Sequence, residues 1–147
     1  MTVSKVADSS LDVVQLDVPA QPAYVAVVRT AAAGLAARAD LTLDRIEDLR
    51  IAVDEACALL LHQHAGDGAP DDAPDDATIR CLFTLEDDAL TVDISGPQVD
   101  LPEPTAFAWA VLDALVDALR TGSDDEGEMG PTTWLRLSVR GGTGSWT

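Results

Sequence analysis

The sequence has few basic residues. It contains 9 Lys and Arg against 26 Asp and Glu, which gives a formal net charge of −17 at pH 7. A chain with this charge repels phosphate backbones and anionic lipid surfaces over a Debye length of about 8 Å at physiological salt. We therefore expect neither nucleic acid nor membrane as a partner. A protein partner with a basic surface is favoured, because opposite fields speed encounter.

Cysteine and long apolar runs are also scarce. The two cysteines, Cys57 and Cys81, fall on the apolar sides of their segments, so we expect reduced packing residues. There is no Cys-x-x-Cys, and His62 and His64 would project in different directions from a helix, so no metal site is expected. No run reaches the roughly 20 apolar residues that span a bilayer, and no basic region followed by an apolar stretch opens the sequence. These absences predict a cytoplasmic protein.

The apolar residues that are present suffice for a core. They make up 47% of 147 residues, which predicts a single domain over residues 1–147 with flexible ends at 1–10 and 141–147. Two stretches rich in acidic residues and glycine, 66–77 and 122–131, are predicted to be surface loops. The repeated Asp in the first stretch lacks the ligand pattern of a calcium loop.

Hydrophobic periodicity predicts four strands and three helices. Alternation marks strands at residues 11–18, 78–85, 90–95 and 132–139. Helical spacing marks helices at residues 23–39, 42–64 and 105–120, with Thr42 as the N-cap of the second and Phe107 on the apolar face of the third. This order predicts an α+β fold, a two-layer sandwich in which about three helices pack on one face of a mixed, mostly antiparallel sheet.

The most informative segment is residues 49–61, in the middle of the second helix. Its apolar face is formed by Leu49, Val53, Cys57 and Leu60, and Glu55 lies at the edge of this face. A half-buried carboxylate can orient a water or a cation, as a nucleotide-hydrolysing site requires. Equally, Glu55 can belong to a solvated face on which Arg50 and Asp54 pair at i,i+4. Both interpretations are open at this point.

The segment around Glu55 resembles the central helix of the RsbW-type anti-sigma factors, members of the histidine-kinase-like ATPase superfamily. Arg29, which lies 26 residues before Glu55, and Thr132-Thr133 before the last strand also resemble the family pattern. The resemblance implies that Arg29, with Tyr24 and Val25 on the same helix, contacts an alternative sigma factor. It further implies an anti-anti-sigma antagonist as a second partner, a homodimer, and a Glu55 that primes phosphotransfer from Mg-ATP to a serine of the antagonist.

The nucleotide motifs of that family are altered in this sequence. The family's Mg²⁺-binding Asn, one turn after the Glu, is Leu59, which offers no oxygen ligand. Its Asp-x-Gly-x-Gly turn is reduced to Gly96 with Pro97, and the glycines near the start of the third helix are absent. Leu59 and Gly96 therefore mark degenerate cofactor positions, and Glu55 is expected to be vestigial.

These departures favour one function over two others. The sequence predicts a binding protein that sequesters a sigma factor with no cofactor. The first alternative is an active serine kinase that uses ATP and Mg²⁺ through a rearranged site. The second is a regulator that keeps only the fold and binds another partner.

Overall fold

A computed structural model describes residues 1–6, 11–66 and 77–141. Within these ranges lie six strands and three helices. The strands are β1 (Thr2–Val6), β2 (Asp12–Pro19), β3 (Thr78–Glu86), β4 (Ala89–Pro97), β5 (Ala118–Gly127) and β6 (Gly130–Arg140). The helices are α1 (Val25–Arg38), which follows a single 3-10 turn at Pro22–Tyr24, α2 (Leu43–Gly66) and α3 (Phe107–Leu115). The predicted loop at 66–77 and the tail from 142 lie almost wholly outside the described residues.

The strands form one sheet in the order β1-β2-β3-β4-β6-β5. Every pairing in the described part of the chain is antiparallel, so the predicted α+β sandwich is confirmed and its sheet is more regular than the mixed sheet we expected. After β4 the chain passes through α3 to the edge strand β5, and then returns as β6 beside β4. In the folded chain α2 lies over β4 and β6, and α3 packs against α2 and β5.

The core lies between the sheet and the helix layer, in which α2 contributes most of the buried residues. Alternate residues of the inner strands are buried, as period-2 patterns require. The predicted apolar face of α2 is confirmed, since Leu49, Val53, Cys57 and Leu60 are each at most 1% exposed. The sheet side of this core is formed by Leu16, Val18, Ile79, Cys81, Phe83, Leu90, Val92, Ile94, Leu135, Leu137 and Val139.

The start of α2 is fixed by local chemistry. Asp40 adopts a φ of 63°, a left-handed conformation that Asp tolerates better than most residues and that turns the chain after α1. The backbone N–H of Arg45 then donates a hydrogen bond to Oγ1 of Thr42 at 3.3 Å. Thr42 is therefore the N-cap, as predicted.

Two strands were not predicted from the sequence. Thr2–Val6, expected to be flexible, pairs with β2 as the edge strand β1. Residues 122–131, expected to be an acidic loop, contribute most of β5 and the turn into β6. Most side chains of β5 are exposed, so an apolar alternation was neither needed nor present. Backbone pairing with β6 holds this strand instead.

The third helix is shorter than predicted and presents a different face to the core. It ends at Leu115, because residues 118–120 join β5. Phe107, on the predicted apolar face, is 81% exposed, whereas Leu112 is completely buried. Both predicted faces of this helix were apolar, so periodicity alone could not choose between them.

Candidate functional site

The seam between α1 and α2 is closed by an ion pair. Nη1 of Arg29 lies 2.9 Å from each carboxylate oxygen of Asp54 and donates to both. The two side chains are 34% and 42% exposed. Asp54 therefore does not pair with Arg50 along the helix, although that pairing was one of the two interpretations left open by the sequence. Arg50 instead donates to Glu47 at 3.3 Å, so Asp54 is left to face the neighbouring helix.

The three residues predicted to contact a partner lie at the start of this seam. Tyr24 ends the 3-10 turn, Val25 begins α1, and both are half-buried. Arg29 follows one turn later on α1. Its Nε and Nη2 atoms donate to no residue within the ranges that the structure describes, which leaves polar donors at the surface.

Glu55 occupies the position that the helical pattern predicted. It is half-buried, next in sequence to Asp54 and to the fully buried Ala56. The seam therefore brings the helix that carries Glu55 into contact with Arg29. Asp54 was missed as the partner of Arg29, because no sequence pattern reports which residues face each other across two helices.

Leu59, one turn after Glu55, belongs to the core. Its side chain is 8% exposed and packs with the other apolar residues of α2 and the sheet. The family's Asp-x-Gly spacing, counted back from Gly96, places its Asp at Ile94. Ile94 is completely buried and pairs with Cys81 and Leu135 on the two neighbouring strands. That count could have been made from the sequence.

Gly96 lies close to apolar side chains of β3 and α2. A Cβ atom at this position would lie 2.8 Å from Cδ1 of Ile79 and 3.7 Å from Cβ of Leu60. The missing side chain therefore makes room for apolar neighbours. The space beside Gly96 is therefore occupied by hydrocarbon from Ile79 and Leu60, which belong to the same buried cluster as Leu59.

Thr133 holds the segment that follows β4. Its hydroxyl accepts a hydrogen bond from the N–H of Val99 at 3.0 Å and donates one to the C=O of Val99 at 3.1 Å. Thr133 is 3% exposed, so both bonds are shielded from water. Sequence reasoning identified this threonine by resemblance but did not predict its contact with Val99.

The two cysteines are free and buried, as expected. Burial, with a smaller effect of the nearby Asp54 charge, raises the pKa of the Cys57 thiol to about 12. Burial also raises the pKa of the Cys81 thiol. Since the thiolate is the reactive form, neither residue is a nucleophile at neutral pH.

Sequence comparison assigns the family. Residues 18–130 match the histidine kinase-like ATPase domain, so this chain belongs to that family. Within it, the chain is of the RsbW type. It is 34% identical over 133 residues to a serine-protein kinase RsbW of Bacillus cereus (strain AH187), an alignment that covers 76% of this chain and 78% of that protein. The resemblance inferred from residues 49–61 is thereby confirmed.

Two further relatives show how far the similarity extends. The anti-sigma-F factor RsbW of Mycobacterium tuberculosis (strain H37Rv) is 34% identical over 113 residues, covering 76% of this chain. This chain spans 62% of the length of that mycobacterial relative. The serine-protein kinase RsbW of Bacillus subtilis (strain 168) is 47% identical over 57 residues, which cover 39% of this chain and 35% of that protein. None of the described helices has the length and apolarity needed to cross a membrane.

ATP with Mg²⁺ is the cofactor that an ATPase family implies, and the residues at the corresponding positions do not fit it. Leu59 and Ile94 offer no oxygen ligand or polar contact, and Ile79 fills the space beside Gly96. Within residues 1–6, 11–66 and 77–141, no group of three or more His, Cys, Asp or Glu side chains could hold a metal ion. The start of α3 carries Ala106 and Phe107 rather than glycines that would let a phosphate approach.

Proposed function

We propose that this protein is an anti-sigma factor that captures an alternative sigma factor by protein contact and releases it when an anti-anti-sigma antagonist binds. Its RsbW-type relatives support the sigma-factor part of this proposal. The observation that carries the cofactor-free part is the burial of Leu59, at 8% exposure, in the place of a metal ligand. Glu55 then has neither metal nor phosphate to act on, and its role is limited to structure or partner contact.

Arg29 is the proposed anchor of the interface, with Tyr24 and Val25 beside it. Stable interfaces of this kind bury about 1,600 Å² in total and depend on a few aromatic or arginine side chains. Arg29 meets this requirement because its side chain is 34% exposed and its Nε and Nη2 donors have no partner in the described part of the chain. We also propose that the protein is cytoplasmic and that it forms a homodimer. Light scattering on the purified protein would test the homodimer by measuring its mass in solution.

Affinity co-purification tests the proposed function. The tagged protein is incubated with each alternative sigma factor of the source organism, with and without Mg-ATP. We expect one stable complex of equal yield in both conditions. Capture that requires Mg-ATP, or transfer of phosphate to the antagonist, would instead identify an active kinase. Failure to capture any sigma factor would favour a regulator that keeps only the fold.

A matched pair of arginine variants tests the anchor. Arg29→Ala should weaken sigma capture by about 2 kcal/mol or more, the usual cost of removing one partner of a buried charged contact. Arg38→Ala is the control, because Arg38 is exposed at the other end of α1 and its removal changes the net charge equally. Equal affinities of the two variants, with intact folding by circular dichroism, would remove Arg29 from the interface.

A further inference from the structure

We propose that Asp54 is a positioning residue, which holds Arg29 so that the Nε and Nη2 edge of its guanidinium faces the sigma factor. This inference rests on the proposed function. Asp54 is not one of the residues that the family pattern assigns to partner contact. Its role follows from the hydrogen bonds that it makes across the helix seam.

The geometry of the pair leaves one edge of Arg29 available. A guanidinium has five N–H donors in a rigid fork. Asp54 binds Nη1 alone, at 2.9 Å from both of its oxygens. Nε and Nη2, which together form the edge that binds a carboxylate through two parallel hydrogen bonds, donate to no described residue. The group that fits this edge is a planar pair of oxygen acceptors, such as an Asp or Glu side chain of the partner.

The contribution of this ion pair to folding stability is too small to account for the pairing. Both members of the pair are at least one-third exposed, and ion pairs of this exposure contribute little to folding. The pair does restrict an arginine side chain that would otherwise sample many rotamers. Fixing one such side chain before binding is worth roughly a three- to tenfold gain in affinity.

An exposed apolar side chain lies on α2 close to the Asp54 end of the ion pair. Ile51 is one turn before Asp54 on α2, on the same side of the helix, and is 51% exposed. A half-exposed isoleucine one turn from the carboxylate that holds Arg29 has the composition of the contacts that surround an interface anchor. The surface formed by Arg29, Asp54 and Ile51 therefore fits a partner segment that pairs one carboxylate with an apolar side chain.

The experiment is a double-mutant cycle on the complex of the full chain with its captured sigma factor. We expect Asp54→Ala to weaken binding by about three- to tenfold. Arg29→Ala should weaken binding more, and the double variant should bind no worse than Arg29→Ala. Glu47→Ala is the control, since it removes a carboxylate of α2 that pairs with Arg50 and not with Arg29. It should leave the affinity unchanged.

A second readout follows Arg29 in the free protein. Nuclear magnetic resonance of the guanidinium should show slowed rotation in the wild type and in Glu47→Ala, and fast rotation in Asp54→Ala. A merely structural Asp54 would affect the free energy of unfolding, whereas a positioning Asp54 affects the affinity for the sigma factor only while Arg29 is present.

The outcomes separate the two proposals. If the wild type captures no sigma factor, the proposed function fails and this inference fails with it. If it captures one, and Asp54→Ala binds as tightly as the wild type or weakens binding equally with and without Arg29, only the inference fails. Unchanged rotation of the Arg29 guanidinium in Asp54→Ala would also overturn it.

Discussion

Replacing Leu59 by Asn tests the interpretation of the nucleotide positions most directly. Asn is the residue type that the family uses there to hold Mg²⁺, whereas Leu59 is 8% exposed in the core. The substitution removes a buried apolar side chain, at about 2–3 kcal/mol, and buries an unpaired amide, at about 1–3 kcal/mol. We therefore expect the free energy of unfolding to fall by about 3–6 kcal/mol, against a typical total of roughly 5–15 kcal/mol for a domain.

Urea denaturation followed by circular dichroism measures this loss. Leu59→Met is the matched control, because it nearly conserves volume and polarity and should cost less than about 1.5 kcal/mol. Addition of Mg-ATP should shift the denaturation midpoint of neither variant, since a ligand stabilises only a protein that binds it. A loss below about 1 kcal/mol for Leu59→Asn, or a midpoint that rises with Mg-ATP, would contradict the placement of Leu59 in the core. Position 59 would then face a site and not the core.

Two further predictions concern buried groups. Thr133→Val keeps the shape of the side chain but leaves the N–H and C=O of Val99 unpaired, so the free energy of unfolding should fall by about 1–3 kcal/mol, as measured in urea. The Cys57 thiol, with a pKa raised from 9.0 to about 12, stays neutral in the folded chain while the unfolded chain ionises. Stability should therefore fall between pH 9 and 12, by about 1.4 kcal/mol per pH unit from this group, and fall less steeply in Cys57→Ala. Equal slopes in the two proteins would contradict the burial of the thiol.

The sequence contained enough information for the parts of the fold that bury one face. The apolar side of α2 is visible in residues 49–61 because burial imposes a 3.6-residue period, and Thr42 marks its start because an N-cap needs a short polar side chain. The hairpin of β3 and β4 follows in the same way from alternation. Such elements can be predicted from local sequence alone.

Elements stabilised by neighbours distant in sequence carried no such signal. The edge strand β5 is held by backbone pairing with β6, and its exposed acidic side chains look like those of a loop. The Arg29 to Asp54 contact depends on how two helices pack, so each residue could only be assigned a helix and a face. Resemblance found Arg29, but the geometry of its guanidinium required the structure.

The close contact of Gly96 with Ile79 and Leu60 has a consequence for the history of this protein. Leu59, Ile94 and the space beside Gly96 are parts of one packed core, so a polar residue introduced at any one of them would destabilise the fold before a nucleotide could bind and compensate. Polar nucleotide-binding groups could be introduced at these positions only by several simultaneous substitutions, because each single step would destabilise the fold. Core packing therefore makes these positions slow to change in evolution.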